Sequence, residues 1–405
     1  MELPIVTTKL EIGTQEKSEK TLVPVANDQS VLENERKPKE ENMTTPIQFM
    51  ANLMKAITGS ICLVYPFMMK QMGIIWGTIL TVYIVYVYST CAWRLLEVNK
   101  QFQKEKKNEK DSLYKLDNLY IVMCYHYFGK FGYWLTYWSI LITLWGSAMG
   151  IMVIMTDYLT VLPVFSSISP NPRIARILPT IILVIVCWLL CLLKDSNLLV
   201  GVSALGLFAL LFAVIVALVY GGIHWGIRWD SSLLYPESLM GILSNIGIII
   251  NAFGFLLCLF SLYVKIRKES RKYASRYINI SLFILCVLYV GSGIILLLMF
   301  HQDPQGLQYT VLLNLPGNSF AYYAVAATMV LTLLGSFPLL LLPCFEILET
   351  NVQNKHENRL FVTDSTRFWS RTLQVVLITI LAYFVPKFDS INAINILCIL
   401  LLLFS

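Results

Sequence analysis

The sequence is poor in charge. Only 14% of its 405 residues are Asp, Glu, Lys or Arg, where a soluble domain carries about 25%. Too few charged side chains remain to solvate an ordinary globular surface. Histidine is also scarce: His126, His224, His301 and His356 stand singly, in the manner of interfacial or loop residues. The nine cysteines lie in or beside apolar segments and no loop offers a pair. That excludes a disulfide framework and a zinc site, and leaves cysteine as a small hydrophobe. The apolar segments hold no paired carboxylates, no HExxH and no Ser-His-Asp grouping, which argues against a membrane-embedded enzyme. The expectation is a protein that is not an enzyme and has no cofactor and no metal. The formal charge of +6 is spread over short loops, so it marks no nucleic-acid partner. At the amino terminus there is no apolar core of a signal peptide.

Hydrophobic residues are what the chain has in abundance. They make up 57% of it, with a mean hydropathy of +0.65, and they come in long blocks. An all-α polytopic membrane protein follows, with the lipid bilayer as its first partner. Met1–Thr45 carries nine acids against six bases and reads as a disordered tail (1–45) before a membrane domain (46–405). Ten apolar segments succeed it, at 46–72, 74–96, 131–157, 175–193, 197–220, 239–263, 277–300, 319–346, 368–385 and 391–404. A span needs about 20 residues, so the first nine qualify and the tenth is short. Residues 112–130 read as an interfacial helix with Tyr and His at headgroup depth.

Basic residues in the loops give the orientation. With the amino terminus cytoplasmic, the inner loops hold seventeen Lys and Arg against four outside, a clear positive-inside bias. Ten spans divide as five plus five, which permits an inverted repeat in which segments 1 and 6 correspond. Both are interrupted, segment 1 at Thr58-Gly59-Ser60 and segment 6 at Asn251–Gly254. Glycine-broken spans in corresponding positions point to a central binding site.

Segment 1 reads "NLMKAITGSICLVYPFMMKQMG" from Asn52 to Gly73. Gly59 weakens a helix by about 1 kcal/mol relative to Ala. Non-helical backbone at this depth survives only inside protein or beside water. Unwinding over Ile57–Ile61 would offer backbone N–H groups, and the start of a half-helix, to a carboxylate such as that of an amino acid. The alternative is a glycine that only lets two helices approach closely. Lys55 lies three residues before the break, about 15 Å from the start of the segment. A central lysine costs about 2.5–3.5 kcal/mol on insertion scales; the choices are a functional charge or a snorkelling one. Gly146 and Gly150 form a GxxxG, a spacing that more often reflects packing than a ligand. Pro66, Pro338 and Pro343 are ordinary membrane-helix kinks.

The Asn52–Gly73 stretch resembles the first span of the amino acid/auxin permease family, whose pattern runs K-x-x-x-G-[ST]-G-[IL]-L-x-L-P. "AFGFLLCLFSLYVKIRKESRKYASRYINIS" (252–281) is similar to its sixth span and following loop, especially in the sodium-coupled neutral amino acid branch. "TLLGSFPLLLLPCFEILE" (332–349) resembles its eighth span and "STRFWSRTLQVVLITILAYFVPKFDSI" (365–391) its ninth. The resemblance covers roughly Ile47 to Phe404. It implies a LeuT-like, APC-type fold of about ten helices in a 5+5 inverted repeat. Members usually carry an eleventh helix; this sequence reads as lacking it, with the core repeat complete.

The implied function is secondary active transport of an amino acid substrate. Substrate would contact Ile57, Thr58, Gly59, Ser60 and Ile61 in segment 1 and Asn251, Ala252, Phe253 and Gly254 in segment 6. A cation site would lie between segments 1 and 8, at Lys55 and Ser336. Proton-coupled members often carry lysine at the position of Lys55, so H+ is expected as coupling ion rather than Na+. Departures from the pattern are Ile61 in place of the second glycine, the apolar Gly254-Phe255-Leu256, and Ser261 where proline is usual. They make the cavity more apolar and keep open a second class, a receptor-like amino acid sensor that retains the fold without transport. The membrane is the plasma membrane or an internal (vacuolar or lysosomal) one. The sequence sets neither the particular amino acid nor the oligomeric state.

Overall fold

The structure, a computed structural model, describes residues 43–59, 61–105, 118–166, 172–193, 196–349 and 365–384. The expected tail (residues 1–42) and the tenth segment (391–404) lie outside the described residues, as does Ser60. Met43–Thr45, grouped with the tail by composition, belong to the folded body. Thr44 is buried and pairs with the loop after segment 6, its N–H and its hydroxyl donating to the Lys265 carbonyl at 2.9 and 3.0 Å.

Segment 1 is two helices, α1 (Pro46–Ile57) and α2 (Ile61–Met72), bent by 56°. Thr45 starts α1 with a reciprocal cap. Its backbone N–H donates to Gln48 Oε1 at 2.8 Å and its hydroxyl accepts from the Gln48 N–H at 3.3 Å. Proline at the first helical position suits the cap, because the N–H it lacks would go unused there. Gly73 turns the chain with φ of +74°, and a Cβ there would sit 2.5 Å from the backbone of Tyr235.

The helices α3 (Ile74–Glu105) and α4 (Leu119–Val161) follow. The interfacial helix expected over 112–130 is continuous with segment 3. Both lie in α4, bent at Gly129, whose φ of +64° breaks the helical path. Residues 112–117 fall outside the described residues. Next come α5 (Pro172–Leu192) and α6 (Ser196–His224). Segment 6 is again broken, into α7 (Leu239–Ala252) and α8 (Leu256–Tyr263), with Phe253–Phe255 non-helical between them. The helices α9 (Ala274–Phe300), α10 (Phe320–Leu348) and α11 (Ser365–Phe384) complete the described chain.

Each of the first nine expected segments is thus represented by a helix or a broken pair. Among the described residues, six helices are long and apolar enough to cross a membrane, and the α1–α2 pair makes seven. The outer faces of α3 and α6 expose Tyr83, Tyr86, Phe208 and Phe212, while α10 is buried along most of its length. The apolar residues of α10 pack against α4 and α6, and the broken segments lie beside it.

At the end of the bundle that carries Thr44, polar ties close the structure. The Ser261 hydroxyl on α8 donates to the Glu346 carboxylate on α10. Arg371 on α11 holds the buried Glu349 with two hydrogen bonds of 2.7 and 3.0 Å and donates to the Cys191 carbonyl at 2.7 Å.

Candidate functional site

The two breaks face one another across a cavity of about 90 Å³. Ile57, Thr58, Gly59 and Ile61 line it from segment 1, Asn251 and Gly254 from segment 6, and Ser336 from α10. Of the other residues proposed from sequence, Ala252 and Phe253 point into the core instead. Both are fully buried, and the Phe253 ring packs edge-on against Tyr289 at 5.6 Å. The α7 helix ends at Ala252, which turns these two side chains away from the opening.

The helix α4 supplies a wall that the sequence reading missed: Ser147, Gly150, Ile151 and Ile154 line the cavity. Gly150, one of the GxxxG pair, is among the lining residues. The Gly59 alternative also resolves. A Cβ built on Gly59 meets no heavy atom within 4 Å, so close helix approach is not what requires glycine there.

Freed carbonyls at the breaks find side-chain donors. The Ser336 hydroxyl lies 3.0 Å from the Thr58 carbonyl, 3.2 Å from that of Lys55 and 3.4 Å from that of Thr332. Tyr88 on α3 donates to the Ile250 carbonyl at 2.9 Å, beside the segment 6 break. Tyr289 on α9 faces the backbone of Gly59 and stacks near Tyr65, ring centroids 5.3 Å apart. The Ser336 and Tyr88 hydroxyls thus meet backbone carbonyls that a continuous helix would have paired internally.

Lys55 has 0% exposure and does not line the cavity. Its side chain runs between α6 and α10, where two glycines leave it room. A Cβ on Gly206 would stand 2.6 Å from Lys55 Cε and 3.2 Å from Nζ, and one on Gly335 would stand 3.1 Å from Cε. Among the described residues the Lys55 ammonium has no hydrogen-bond partner. The Ser336 hydroxyl reaches the backbone carbonyl of Lys55 at 3.2 Å, and the lysine side chain runs on beside Gly335 and Gly206. Thr332 stands at the same junction, its hydroxyl 2.8 Å from the Thr328 carbonyl and 3.1 Å from that of Gly206.

A second cavity of about 230 Å³ lies on the side away from Thr44 and shares Ile61, Ile154 and Asn251 with the first. Asp157, ion-paired with Arg176, forms part of its wall together with Tyr158, Tyr309 and Tyr322.

Paired broken helices around a central cavity, with a long buried helix beside them, define a transporter of LeuT-like, APC-type fold. Mhp1, a nucleobase-cation-symport-1 family transporter solved in a closed conformation with bromovinylhydantoin bound, shares that fold. The match has a TM-score of 0.51 at 12% identity and covers 84% of this chain and 72% of that one. At that identity the likeness concerns the fold alone. No curated protein matches the chain. The family described as "Transmembrane amino acid transporter protein" matches residues 42–404, and the chain belongs to it. It is an integral membrane protein of a family that moves amino acids or similar substrates.

Proposed function

We propose that this protein is a secondary active transporter of small neutral amino acids, coupled to protons rather than to sodium. The observation that carries the reading is Lys55, a fully buried lysine with no hydrogen-bond partner among the described residues, three residues before the broken backbone. Burying a charge costs several kcal/mol unless something compensates, and such residues inside membranes are functional by default. An ammonium fixed between α1, α6 and α10 supplies the positive charge that sodium would otherwise bring. Its proton is the coupling ion.

The cavity chemistry supports the substrate class. Thr58, Ser147, Asn251 and Ser336 supply polar groups, and the remaining lining residues are aliphatic or glycine. A charged substrate side chain would find no counter-charge among them. The backbone around Gly59 and the start of α2 suit a carboxylate. The basic-residue bias favours a cytoplasmic amino terminus, in the plasma membrane or an internal one such as the vacuolar or lysosomal membrane.

The sensor reading rests on Ile61, Ile151, Ile154, Leu333 and Leu340, which leave the cavity small and its walls apolar. Flux of labelled alanine, serine and proline into proteoliposomes separates the two. Accumulation supports the transporter; ligand-induced thermal stabilisation without flux would establish the sensor in its place.

A further inference from the structure

We propose that the second cavity, of about 230 Å³, is a binding site in its own right, for an organic amine with a compact apolar body. The helix α4 contributes Asp157 and Tyr158 to its wall, and the segment between α9 and α10 contributes Tyr309 and Leu312. Tyr322, from the first turn of α10, completes the polar part. Among the lining residues Asp157 alone is charged.

Arg176 on α5 donates to Asp157 Oδ1, and among the described residues Oδ2 accepts no hydrogen bond. Arg176 itself is not part of the wall. The cavity thus presents a charged acceptor with no cation beside it. An ammonium meets such an acceptor in a charge-assisted hydrogen bond, roughly twice as strong as a neutral one. A carboxylate or phosphate would stand among aliphatic side chains and a like charge, uncompensated. The same argument disfavours a zwitterionic amino acid, which sets this cavity apart from the central one.

The tyrosines suit the same ligand. The rings of Tyr158, Tyr309 and Tyr322 share the wall with Asp157, and aromatic faces attract organic cations, most strongly where water is excluded. Tyr158 is buried, and the Tyr309 ring packs edge-on against Phe67 of α2 with centroids 5.6 Å apart. Ile61, Val64, Ile154, Val161 and Ile248 supply an apolar remainder. The space falls below the roughly 300–1,000 Å³ of sites for drug-sized ligands, so the body is a single ring or a short branched chain. The inference rests on this wall alone and holds whether the protein transports or senses.

The test is binding of phenethylamine to the purified full chain, read as a rise in unfolding temperature. N-acetylphenethylamine and phenylalanine serve as the uncharged and zwitterionic controls, and each should bind about tenfold more weakly. Asp157→Asn should lower the amine's affinity about tenfold and erase its preference over the acetylated control. Arg176→Gln removes the cation that competes for Asp157 and should raise the affinity about threefold. Were the ion pair only a brace between α4 and α5, both variants would lose affinity. Gly59→Leu fills the central cavity and should leave amine binding unchanged. The comparison of the amine with its acetylated form uses the unmutated protein, so it stands even if a variant fails to fold. Equal binding of the two, no stabilisation by the amine, or a loss in Arg176→Gln matching that in Asp157→Asn would overturn the site. Loss of binding in Gly59→Leu would do so as well, by placing the amine in the central cavity.

Discussion

Ser336 and Thr58 are 278 residues apart in sequence, yet the Ser336 hydroxyl lies 3.0 Å from the Thr58 carbonyl. The contact ties α10 to the end of α1, where the helix gives up its own hydrogen bonds. Removing the hydroxyl strands buried acceptors, a loss of about 1–3 kcal/mol. Ser336→Ala should therefore weaken ligand binding by about tenfold, read as ligand-induced thermal stabilisation, whereas Ser336→Thr keeps the donor and most of the affinity. Full affinity in the alanine variant would mean that the break is held by other contacts.

Gly206 and Lys55 should be coupled. A methyl group at Gly206 would stand 2.6 Å from Lys55 Cε, so Gly206→Ala must displace the lysine side chain. Gly206→Ala is expected to destabilise the protein and to suppress uptake as Lys55→Ala does. In the Lys55→Ala background the same methyl meets empty space and should cost little. Additive effects in this double-mutant cycle would show that the two positions do not touch.

The break itself can be filled or widened. Gly59 has open space beside it, and that space is the cavity. Gly59→Leu should abolish binding while expression stays largely intact. Ile61→Gly places the glycine of the family pattern there and enlarges both cavities that Ile61 lines, so binding or uptake should rise. Unchanged binding in Gly59→Leu would place the site elsewhere.

Arg371 and Glu349 form a paired fork at the Thr44 end of the bundle, with hydrogen bonds of 2.7 and 3.0 Å to a carboxylate that is 7% exposed. Arg371→Ala leaves that carboxylate with Arg367, whose Nε stands 3.9 Å from it. Breaking a buried pair from one side costs about 3–5 kcal/mol. Unfolding in detergent should shift to clearly lower temperature for Arg371→Ala. Arg371→Lys should recover little, since an ammonium cannot reproduce the bidentate geometry. Glu349→Gln with Arg371→Met, which removes both charges, should recover more than either single change.

Much of this architecture was legible in the sequence, because apolar length and glycine position are local signals. The breaks at Thr58-Gly59 and at Phe253–Phe255 lie where glycine and polar residues interrupt apolar runs. What was not legible depends on the juxtaposition of distant helices. Nothing in the surroundings of Gly206 or Gly335 marks them as the walls of a lysine slot, since their meaning comes from Lys55 on a third helix. No local signal marks Tyr88, whose role comes from the Ile250 carbonyl on a distant helix. Ala252 and Phe253 belong to the motif by position, but at the end of α7 both are buried in the core and neither lines the cavity.

The decisive measurement is uptake of labelled alanine by purified protein in proteoliposomes, with the pH gradient and the sodium gradient imposed separately. An acid-outside gradient in sodium-free buffer is expected to drive accumulation, sodium is expected to add nothing, and Lys55→Ala should lose the response to the proton gradient. Accumulation driven by sodium in the unmutated protein, or full proton-driven uptake by Lys55→Ala, would contradict the assignment of Lys55 as the coupling group.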